Sequence, residues 1–243
     1  MAVIDRSILI LTYHRVGKPP AGVRLRGMYT APFHLSLQIF VLKLFGFKFA
    51  TLSQAMEQTS GRWVVMTFDD GYQDNLLKAA PVLKRHRVHG TVFVLTADVG
   101  KVQHQWEEAG EWAKADLMDW QELRQLRDLG WEIGSHCHQH VHLTRHPVEE
   151  RRSLLQQSRD IVKRELGVVP QTLAYPFGDV DKATRDIAQS LGFKYAVATE
   201  RGEVGSHADH LALRRMAMRG HRFYHVVSFL WNLCTQRRSY IVR

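Results

Sequence analysis

Hydrophobic and polar positions alternate in blocks that predict a series of strands and helices. Short apolar runs predict strands at 8–12, 63–66, 90–96, 131–134, 171–174 and 195–198. Apolar residues at helical spacing predict helices over 33–45, 72–86, 119–129, 147–166 and 181–191. Strands that alternate with helices are typical of parallel sheets, so the pattern predicts an α/β fold.

The helix predicted at 33–45 carries apolar residues on two sides. One stripe, formed by Leu35, Ile39 and Leu42, is sufficient to dock the helix on a sheet. A second stripe with helical spacing lies on roughly the opposite side and consists of Phe33, Leu37, Phe40 and Leu44. The second stripe predicts either burial under a neighbouring segment or contact with a membrane surface or another subunit.

Two adjacent carboxylates follow the apolar run at 63–66. Asp69 and Asp70 stand at the end of this predicted strand, and Gly71 allows the backbone to curl so that both side chains serve one site. The carboxyl ends of parallel strands are where α/β folds bind ligands. Because like charges so close repel each other, the pair predicts a bound cation or a strongly basic partner.

A cluster of histidines follows the strand predicted at 131–134. His136 and His140 are four residues apart, and this spacing predicts that both imidazoles lie on one side of a helical turn. One carboxylate and two imidazoles leave a fourth position open for water. Such a ligand set is typical of a catalytic zinc or a similar divalent ion.

Three motifs occur in order along the chain: Thr-Phe-Asp-Asp-Gly at 67–71, a histidine motif at 135–144 and Tyr-Pro-Phe-Gly at 175–178. Together with Tyr-His-Arg-Val at 13–16, they resemble the polysaccharide deacetylases with the NodB homology domain, and the resemblance extends to about Phe193. It implies an irregular (β/α)7-type barrel. It also implies metal-dependent removal of N-acetyl groups from amino sugars.

The resemblance assigns a role to each residue of the predicted metal site. It implies that Asp70, His136 and His140 hold the ion, with zinc as the expected metal. Asp69 is then the general base that accepts a proton from water. This division rests on the family pattern, because spacing alone does not distinguish two adjacent carboxylates.

The third motif supplies substrate contacts but departs from the family pattern. The backbone amide of Phe177 is the implied donor to the oxyanion, and Tyr175 is an implied substrate-binding residue. In many members an arginine that orients the base opens this motif, but Ala174 stands at that position here. Arg214 and Arg215 are the candidates to replace it.

The general acid is assigned by its place in the opening motif. No Asp-Trp motif and no Leu-x-His motif is evident after the third motif, so the resemblance leaves the acid unassigned there. We therefore predict that His14, in Tyr-His-Arg-Val, protonates the amine leaving group. His138 and His142 are the alternatives.

Length and composition predict one domain. The chain has 243 residues, of which 45% are apolar and 23% charged, as in ordinary soluble domains. We predict a single deacetylase domain over 1–243, with 211–243 as a basic, apolar C-terminal extension. With only two cysteines, Cys137 and Cys234, we expect no disulfide scaffold, and the N-terminal residues do not show the pattern of a leader. These features predict a cytoplasmic location.

The C-terminal extension has an unusual charge pattern. Beyond Asp209 the chain has seven arginines and neither lysine nor acidic residues, which accounts for +7 of the net charge of +9. The apolar residues within 223–233 are too few to span a bilayer, and predict either an interfacial helix or a helix packed on the barrel. With the second stripe of 33–45, the segment 223–243 predicts peripheral contact at the inner face of the membrane. We expect no nucleic-acid partner.

Three functions are compatible with these features. The first is N-deacetylation of an acetylated amino-sugar glycan or of a glycolipid. The second is hydrolysis of another C–N bond, in a small amide or imide. The third is carbohydrate binding without catalysis. Trp106 and Trp112, in the polar segment from 98 to 117, either stack on a sugar ring or anchor their loop.

Overall fold

A parallel sheet surrounded by helices forms the fold. The computed structural model describes residues 6–23, 25–104, 114–199, 209–218 and 241–242. The strands are β1 (Arg6–Tyr13), β2 (Arg15–Val16), β3 (Tyr29–Thr30), β4 (Lys48–Ala50), β5 (Gly61–Phe68), β6 (Thr91–Val94), β7 (Glu132–Ser135), β8 (Thr172–Ala174), β9 (Tyr195–Val197), β10 (Met216–Ala217) and β11 (Ile241–Val242). The helices are α1 (Pro32–Leu44), α2 (Leu52–Met56), α3 (Ala80–Arg85), α4 (Trp120–Asp128), α5 (Val148–Leu166) and α6 (Lys182–Ser190).

The sheet curls until its two ends meet. Its order is β10-β1-β5-β6-β7-β8-β9, with every neighbouring pair on this path parallel. A parallel bridge joins Val197 of β9 to Leu213, and three residues later β10 pairs with β1. This closure confirms the predicted irregular barrel. Residues 213–217, which the sequence analysis assigned to a C-terminal extension, complete the barrel wall.

Strand alternation divides the core into an inner and an outer layer. Ile8 and Ile10 of β1 pack with Val65 of β5, Phe93 of β6 and Leu213, inside the barrel. The side chains between them point the other way, because successive residues of a strand face opposite sides. Leu9 and Leu11 therefore pack outward, in the same cluster as Leu35, Ile39 and Leu42 of α1.

The two apolar stripes of α1 lie in different environments. The docking stripe, Leu35, Ile39 and Leu42, is fully buried, as predicted. In the second stripe, the relative exposures are 70% for Phe33, 51% for Phe40 and 69% for Leu44, while Leu37 is half-buried. Three of the four side chains of this stripe are therefore exposed. Among the described residues, no helix has the length and hydrophobicity needed to cross a membrane.

Two local predictions differ from the structure. The helix predicted over 72–86 is a π-helix, Asn75–Ala79, continued by α3. The residues 136–142 do not form a helical turn but an irregular loop after β7. The predictions for Trp106, Trp112, Cys234 and 223–240 concern residues that lie outside the described part of the chain.

Candidate active site

Asp69 and Asp70 lie where β5 ends, at the carboxyl edge of the barrel. Asp70 has a φ of +74°, and the next residue, Gly71, also has a φ of +74°. This left-handed conformation is uncommon for residues other than glycine and often marks functional sites. The sequence analysis expected the backbone to curl at Gly71, but the turn begins one residue earlier, at Asp70. Both carboxylates are buried, with relative exposures of 3% for Asp69 and 2% for Asp70.

His136 and His140 converge on Asp70 from the loop after β7. His136 Nε2 is 3.3 Å and His140 Nε2 is 3.9 Å from Asp70 Oδ1. Cys137 between them has a φ of +74°, and this left-handed residue turns the loop so that both rings face the aspartate. The predicted helical turn is therefore wrong, although the two imidazoles do lie together. Their candidate ligand atoms and that of Asp70 are within 4.8 Å of one another.

The donor set of Asp70, His136 and His140 fits a divalent cation. Both oxygens of Asp70 are buried without a hydrogen bond of acceptable geometry, a costly arrangement unless something else binds them. His136 Nδ1 lies 2.7 Å from the Ala174 carbonyl and donates to it. This contact leaves Nε2 directed at Asp70, and such an outer hydrogen bond commonly fixes the tautomer of a metal-binding histidine.

The charges at these three residues are strongly coupled. Burial alone would raise the pKa of Asp70, but His136, His14 and His140 hold it well below its usual range. Burial lowers the pKa of His140 to about 4, so this imidazole is neutral at neutral pH. Burial opposes protonation of His136 too, but the contact with Asp70 and the charge of Asp69 raise its pKa overall. The site therefore holds an ionised carboxylate and a neutral imidazole, both competent to bind a cation.

Asp69 has a different partner, which lies far away in the sequence. Arg215 Nη1 and Nη2 each donate to one oxygen of Asp69 at 2.7 Å. Arg215 also donates to Thr67 Oγ1 at 3.1 Å and to the Ala198 carbonyl at 3.0 Å. Burial would raise the pKa of Asp69, but Arg215 holds it below its usual value. Of the two arginines considered as replacements at the position of Ala174, Arg215 is the one that contacts the base candidate.

His14 is the histidine that lies beside Asp69. Its Nε2 is 4.0 Å from Asp69 Oδ2, and burial lowers its pKa despite the nearby carboxylates. The two alternatives have other contacts. His138 Nδ1 is hydrogen-bonded to Thr96 Oγ1 at 2.9 Å, and the ring of His142 stacks on Phe177 at 4.0 Å.

The Tyr-Pro-Phe-Gly motif forms a tight turn, Pro176–Gly178, at the end of β8. Phe177 has a φ of +58°, and its ring lies 4.3 Å from that of His140. A side chain at Gly178 would approach the backbone nitrogen of Thr199 to 2.4 Å, so the turn requires glycine here. Tyr175 is fully buried and donates its hydroxyl to the Leu211 carbonyl at 3.0 Å. The roles predicted for Phe177 and Tyr175 in substrate binding stay predictions.

A cavity of about 250 Å³ joins these groups. It is lined by Thr12, His14, Met28, Asp69, His136, His140, Tyr175, Phe177, Gly178, Thr199, Arg215 and Ala217. Pockets for drug-sized ligands have volumes of roughly 300–1,000 Å³, so this one suits part of a larger molecule. The lining combines a candidate base, a candidate acid and imidazoles of the candidate metal site around one small space.

Comparison with protein families identifies the chain. Residues 56–196 match the family model described as polysaccharide deacetylase. The chain belongs to the polysaccharide deacetylase family. YxkH of Bacillus subtilis is 26% identical over 160 residues, which cover 66% of this chain and 53% of that relative. The poly-beta-1,6-N-acetyl-D-glucosamine N-deacetylase of Staphylococcus aureus is 22% identical over 247 residues, covering 92% of this chain and 82% of the relative. The chain thus spans about half of YxkH and most of the staphylococcal relative.

Solved structures of this family share the fold. The Streptococcus pyogenes deacetylase PplD in complex with acetate has a TM-score of 0.75 and 23% identity, with coverage of 88% of this chain and 92% of that one. IcaB from Ammonifex degensii has a TM-score of 0.72 and 22% identity, with coverage of 93% and 97%. The prediction of a polysaccharide deacetylase is therefore confirmed as a family assignment.

Proposed function

We propose that this polysaccharide deacetylase is a metal-dependent hydrolase that removes N-acetyl groups from the amino sugars of a polysaccharide. The observation that carries the proposal is the convergence of Asp70, His136 and His140 beside the Asp69–Arg215 pair. Both histidines, Asp69 and Arg215 line one cavity. A carboxylate whose buried oxygens have no hydrogen bond, next to two imidazoles, fits a cation better than a purely structural role. Zinc is the ion we propose, because two histidines and one carboxylate suit it.

The cation, when held by Asp70, His136 and His140, would polarise the acetyl carbonyl and make a water molecule more acidic. The protein's own groups then divide the remaining work. Asp69 accepts the proton of the water that adds to the acetyl carbon, and Arg215 keeps this carboxylate ionised and oriented. The backbone N–H of Phe177 donates to the developing oxyanion.

Cleavage of the C–N bond requires a proton on the departing nitrogen. We assign this step to His14. Because burial lowers its pKa, the imidazole is neutral when the reaction begins. It takes the water-derived proton from Asp69 and passes it to the amine as acetate forms. His14 Nε2 lies 4.0 Å from Asp69 Oδ2, so this transfer needs the two groups to close to hydrogen-bonding distance in the substrate complex. The balance is one water consumed for one acetate and one ammonium group: one proton of the water reaches the nitrogen through Asp69 and His14, and the second is released as the acetic acid ionises and protonates the free amine.

Mass spectrometry of acetylated oligosaccharides tests this proposal. Oligomers of β-1,6-linked N-acetylglucosamine are the first substrate to try, because a relative named for that polymer aligns with 92% of the chain. Incubation with zinc-loaded protein should lower the oligomer mass by one acetyl group per event, and a chelator should stop the loss. Small acetamides and cyclic imides form a parallel set. Turnover of the small acetamides or imides but not of the oligosaccharides would contradict a saccharide substrate. If no compound is turned over, the result would favour a binding function.

We also propose that the second stripe of α1 contacts an anionic lipid surface. Phe33, Phe40 and Leu44 are exposed, and the exposed Lys43 and Lys48 lie at the same end of the helix as Leu44. Exposed apolar side chains beside basic ones are typical of interfacial helices. The location at the inner face of the membrane and the participation of 223–243 stay predictions.

Flotation with vesicles containing phosphatidylglycerol tests the lipid contact. Replacement of Phe33, Phe40 and Leu44 by serine should abolish flotation. The matched control replaces three valines exposed on other faces, Val102, Val148 and Val168, and should float like the unaltered protein. Equal flotation of both variants would contradict the proposal.

A further inference from the structure

The backbone around His14 is held by two residues that follow the aspartate pair. Asn75 Nδ2 donates to the carbonyl oxygen of His14 at 2.8 Å. Asp74 Oδ1 accepts from the backbone N–H of Val16 at 2.9 Å, and Asp74 Oδ2 accepts from Arg15 Nε at 2.7 Å. The side chains of Asp74 and Asn75 thus bind the segment 14–16, which lies about 60 positions earlier in the chain.

This contact depends on the unusual helix that follows the catalytic turn. Asn75 begins the π-helix Asn75–Ala79, whose wider turn is rare and is frequently found at functional sites. Asp74 stands just before it, and its Oδ1 also accepts from Asn75 Nδ2 at 3.2 Å. The two side chains therefore form one hydrogen-bonded unit directed at the segment 14–16.

The network is buried, so its hydrogen bonds are costly to break. Asn75 has a relative exposure of 0% and Asp74 of 9%. Arg15 lies between two aromatic rings, 5.1 Å from the centroid of Tyr29 and 4.6 Å from that of Tyr72. A buried donor or acceptor that loses its partner bears the full cost of desolvation. The peptide that carries His14 is accordingly fixed with respect to the turn that carries Asp69.

Such fixation matters for proton transfer. His14 lies outside the regular strands, between the end of β1 at Tyr13 and the start of β2 at Arg15. Its ring must reach both Asp69 and the departing amine, and general acids act only within hydrogen-bonding distance of the atom they protonate. A displacement of about 1 Å in such a group is enough to cost about 100-fold in rate.

We propose that Asp74 and Asn75 are positioning residues that hold His14 where it protonates the amine leaving group. The proposal rests on the function proposed above. Neither side chain lines the cavity, so each acts through the backbone of His14 rather than on the substrate. Residues four and five positions after Asp70 would thus couple the segment that carries the general base to the segment that carries the general acid.

The leaving group separates this role from a general structural one. Hydrolysis of the acetamide breaks a C–N bond, and the nitrogen departs only with a proton from His14. Hydrolysis of 4-nitrophenyl acetate breaks a C–O bond, and the phenolate departs without one. Loss of the positioned acid should therefore slow amide hydrolysis and spare ester hydrolysis, whereas distortion of the metal site or of Asp69 should slow both.

The experiment compares zinc-loaded wild type with Asn75→Ala, Asn75→Asp, Asp74→Asn, His14→Ala and the double variant His14→Ala/Asn75→Ala. We expect Asn75→Ala to lower kcat for the acetylated oligosaccharide about 10- to 100-fold, with little change in KM and in ester hydrolysis. Asn75→Asp keeps the shape but replaces the donor by an acceptor, so it should behave in the same way. Asp74→Asn keeps an acceptor for Val16 and should show a smaller loss.

The double variant makes the test decisive. If Asn75 acts through His14, Asn75→Ala should have no further effect once His14 is alanine. Four results for Asn75→Ala would overturn the proposal. They are the same fold-loss in kcat with and without His14, an equal loss for amide and ester hydrolysis, a rise in KM instead of a fall in kcat, and no loss of kcat at all. If the wild type does not hydrolyse the ester, the test rests on amide hydrolysis alone. The effect of Asn75→Ala on kcat and KM and the result of the double variant then show whether the proposal holds.

Controls separate this inference from the fold and from the proposed function. Thr184→Ala removes another fully buried polar side chain, hydrogen-bonded to Asp181 and Arg151, and should lower thermal stability without the amide-selective loss. Zinc content should be equal in all variants. Failure of the wild type to release acetyl groups would refute the proposed function, whereas an active wild type with unaffected Asn75 variants would refute the inference alone.

Discussion

Asp69 and Asp70 are adjacent in the chain, yet they lie in opposite environments. Asp69 has both oxygens bound by the guanidinium of Arg215, at 2.7 Å each. Asp70 has no acceptable hydrogen bond to either oxygen and faces the two imidazoles of His136 and His140. The left-handed turn at Asp70 separates the two carboxylates in this way.

The difference indicates how one dipeptide provides two functions. A carboxylate that is bound by an arginine is oriented and kept ionised but remains able to accept a proton. A carboxylate without hydrogen bonds is available to a cation. We therefore expect substitutions at the two positions to have distinct consequences for metal content, turnover and stability.

The largest effect is expected for Asp70→Ala. Loss of one of three ligands should remove the cation, and with it the polarised carbonyl and the activated water, so turnover should fall at least about 10⁴-fold. Metal analysis after gel filtration and deacetylation assays measure this. His138→Ala is the control, because His138 is bound to Thr96 and lies outside the donor set. Full zinc content in Asp70→Ala would reject the assigned ligand role.

Asp69→Asn should lower turnover about 10³-fold while zinc remains bound. The amide keeps the shape of the side chain but cannot accept the proton of water. Metal content and rate are measured on the same preparation. If zinc is lost in Asp69→Asn and retained in Asp70→Ala, the two roles are the reverse of those proposed.

Arg215→Met should lower turnover about 100-fold and destabilise the fold. Asp69 would remain buried without its partner, and breaking such a pair costs about 3–5 kcal/mol. Urea denaturation measures the free energy of unfolding. The double variant Asp69→Asn/Arg215→Met should recover stability but not activity, and Arg214→Met should change stability little. A fully stable Arg215→Met would show that the pair does not hold the barrel closed.

The smallest effect concerns the pH dependence of zinc binding. Because Asp70 and Asp69 raise the pKa of His136 despite its burial, the metal-free site holds a proton at slightly acidic pH. Zinc must displace this proton, so affinity should fall as pH decreases below the pKa of His136 and level off above it. The pKa of His140, lowered to about 4, adds no competition in this range.

Calorimetry at pH 6 in two buffers of different ionisation enthalpy measures the displaced protons. We expect about one proton released per zinc at pH 6, and less release from His136 as the pH rises through its raised pKa. Zinc binding that releases no proton at pH 6 would show that His136 is not a ligand in the assumed tautomer.

Local pattern was sufficient to predict much of the fold. The strand at 63–66, the helix capped by Asp119 and the docking stripe of α1 all appear in the structure, because each depends on hydrophobic periodicity or on a cap within a few residues. The histidine spacing identified two imidazoles that do lie together, but for a wrong reason. A single left-handed residue, Cys137, replaces the expected helical turn, and periodicity does not predict such a conformation.

The sequence by itself determined the strand-and-helix order and the carboxylate and imidazole groups, since these follow from side-chain chemistry and short-range spacing. Only the tertiary structure decided that Arg215, 146 residues from Asp69, is its partner, because barrel closure brings residues 213–217 to β1. The contact of Asn75 with His14 has the same origin. A buried polar group requires a partner, but the partner is set by which strands become neighbours, and no local pattern contains that information.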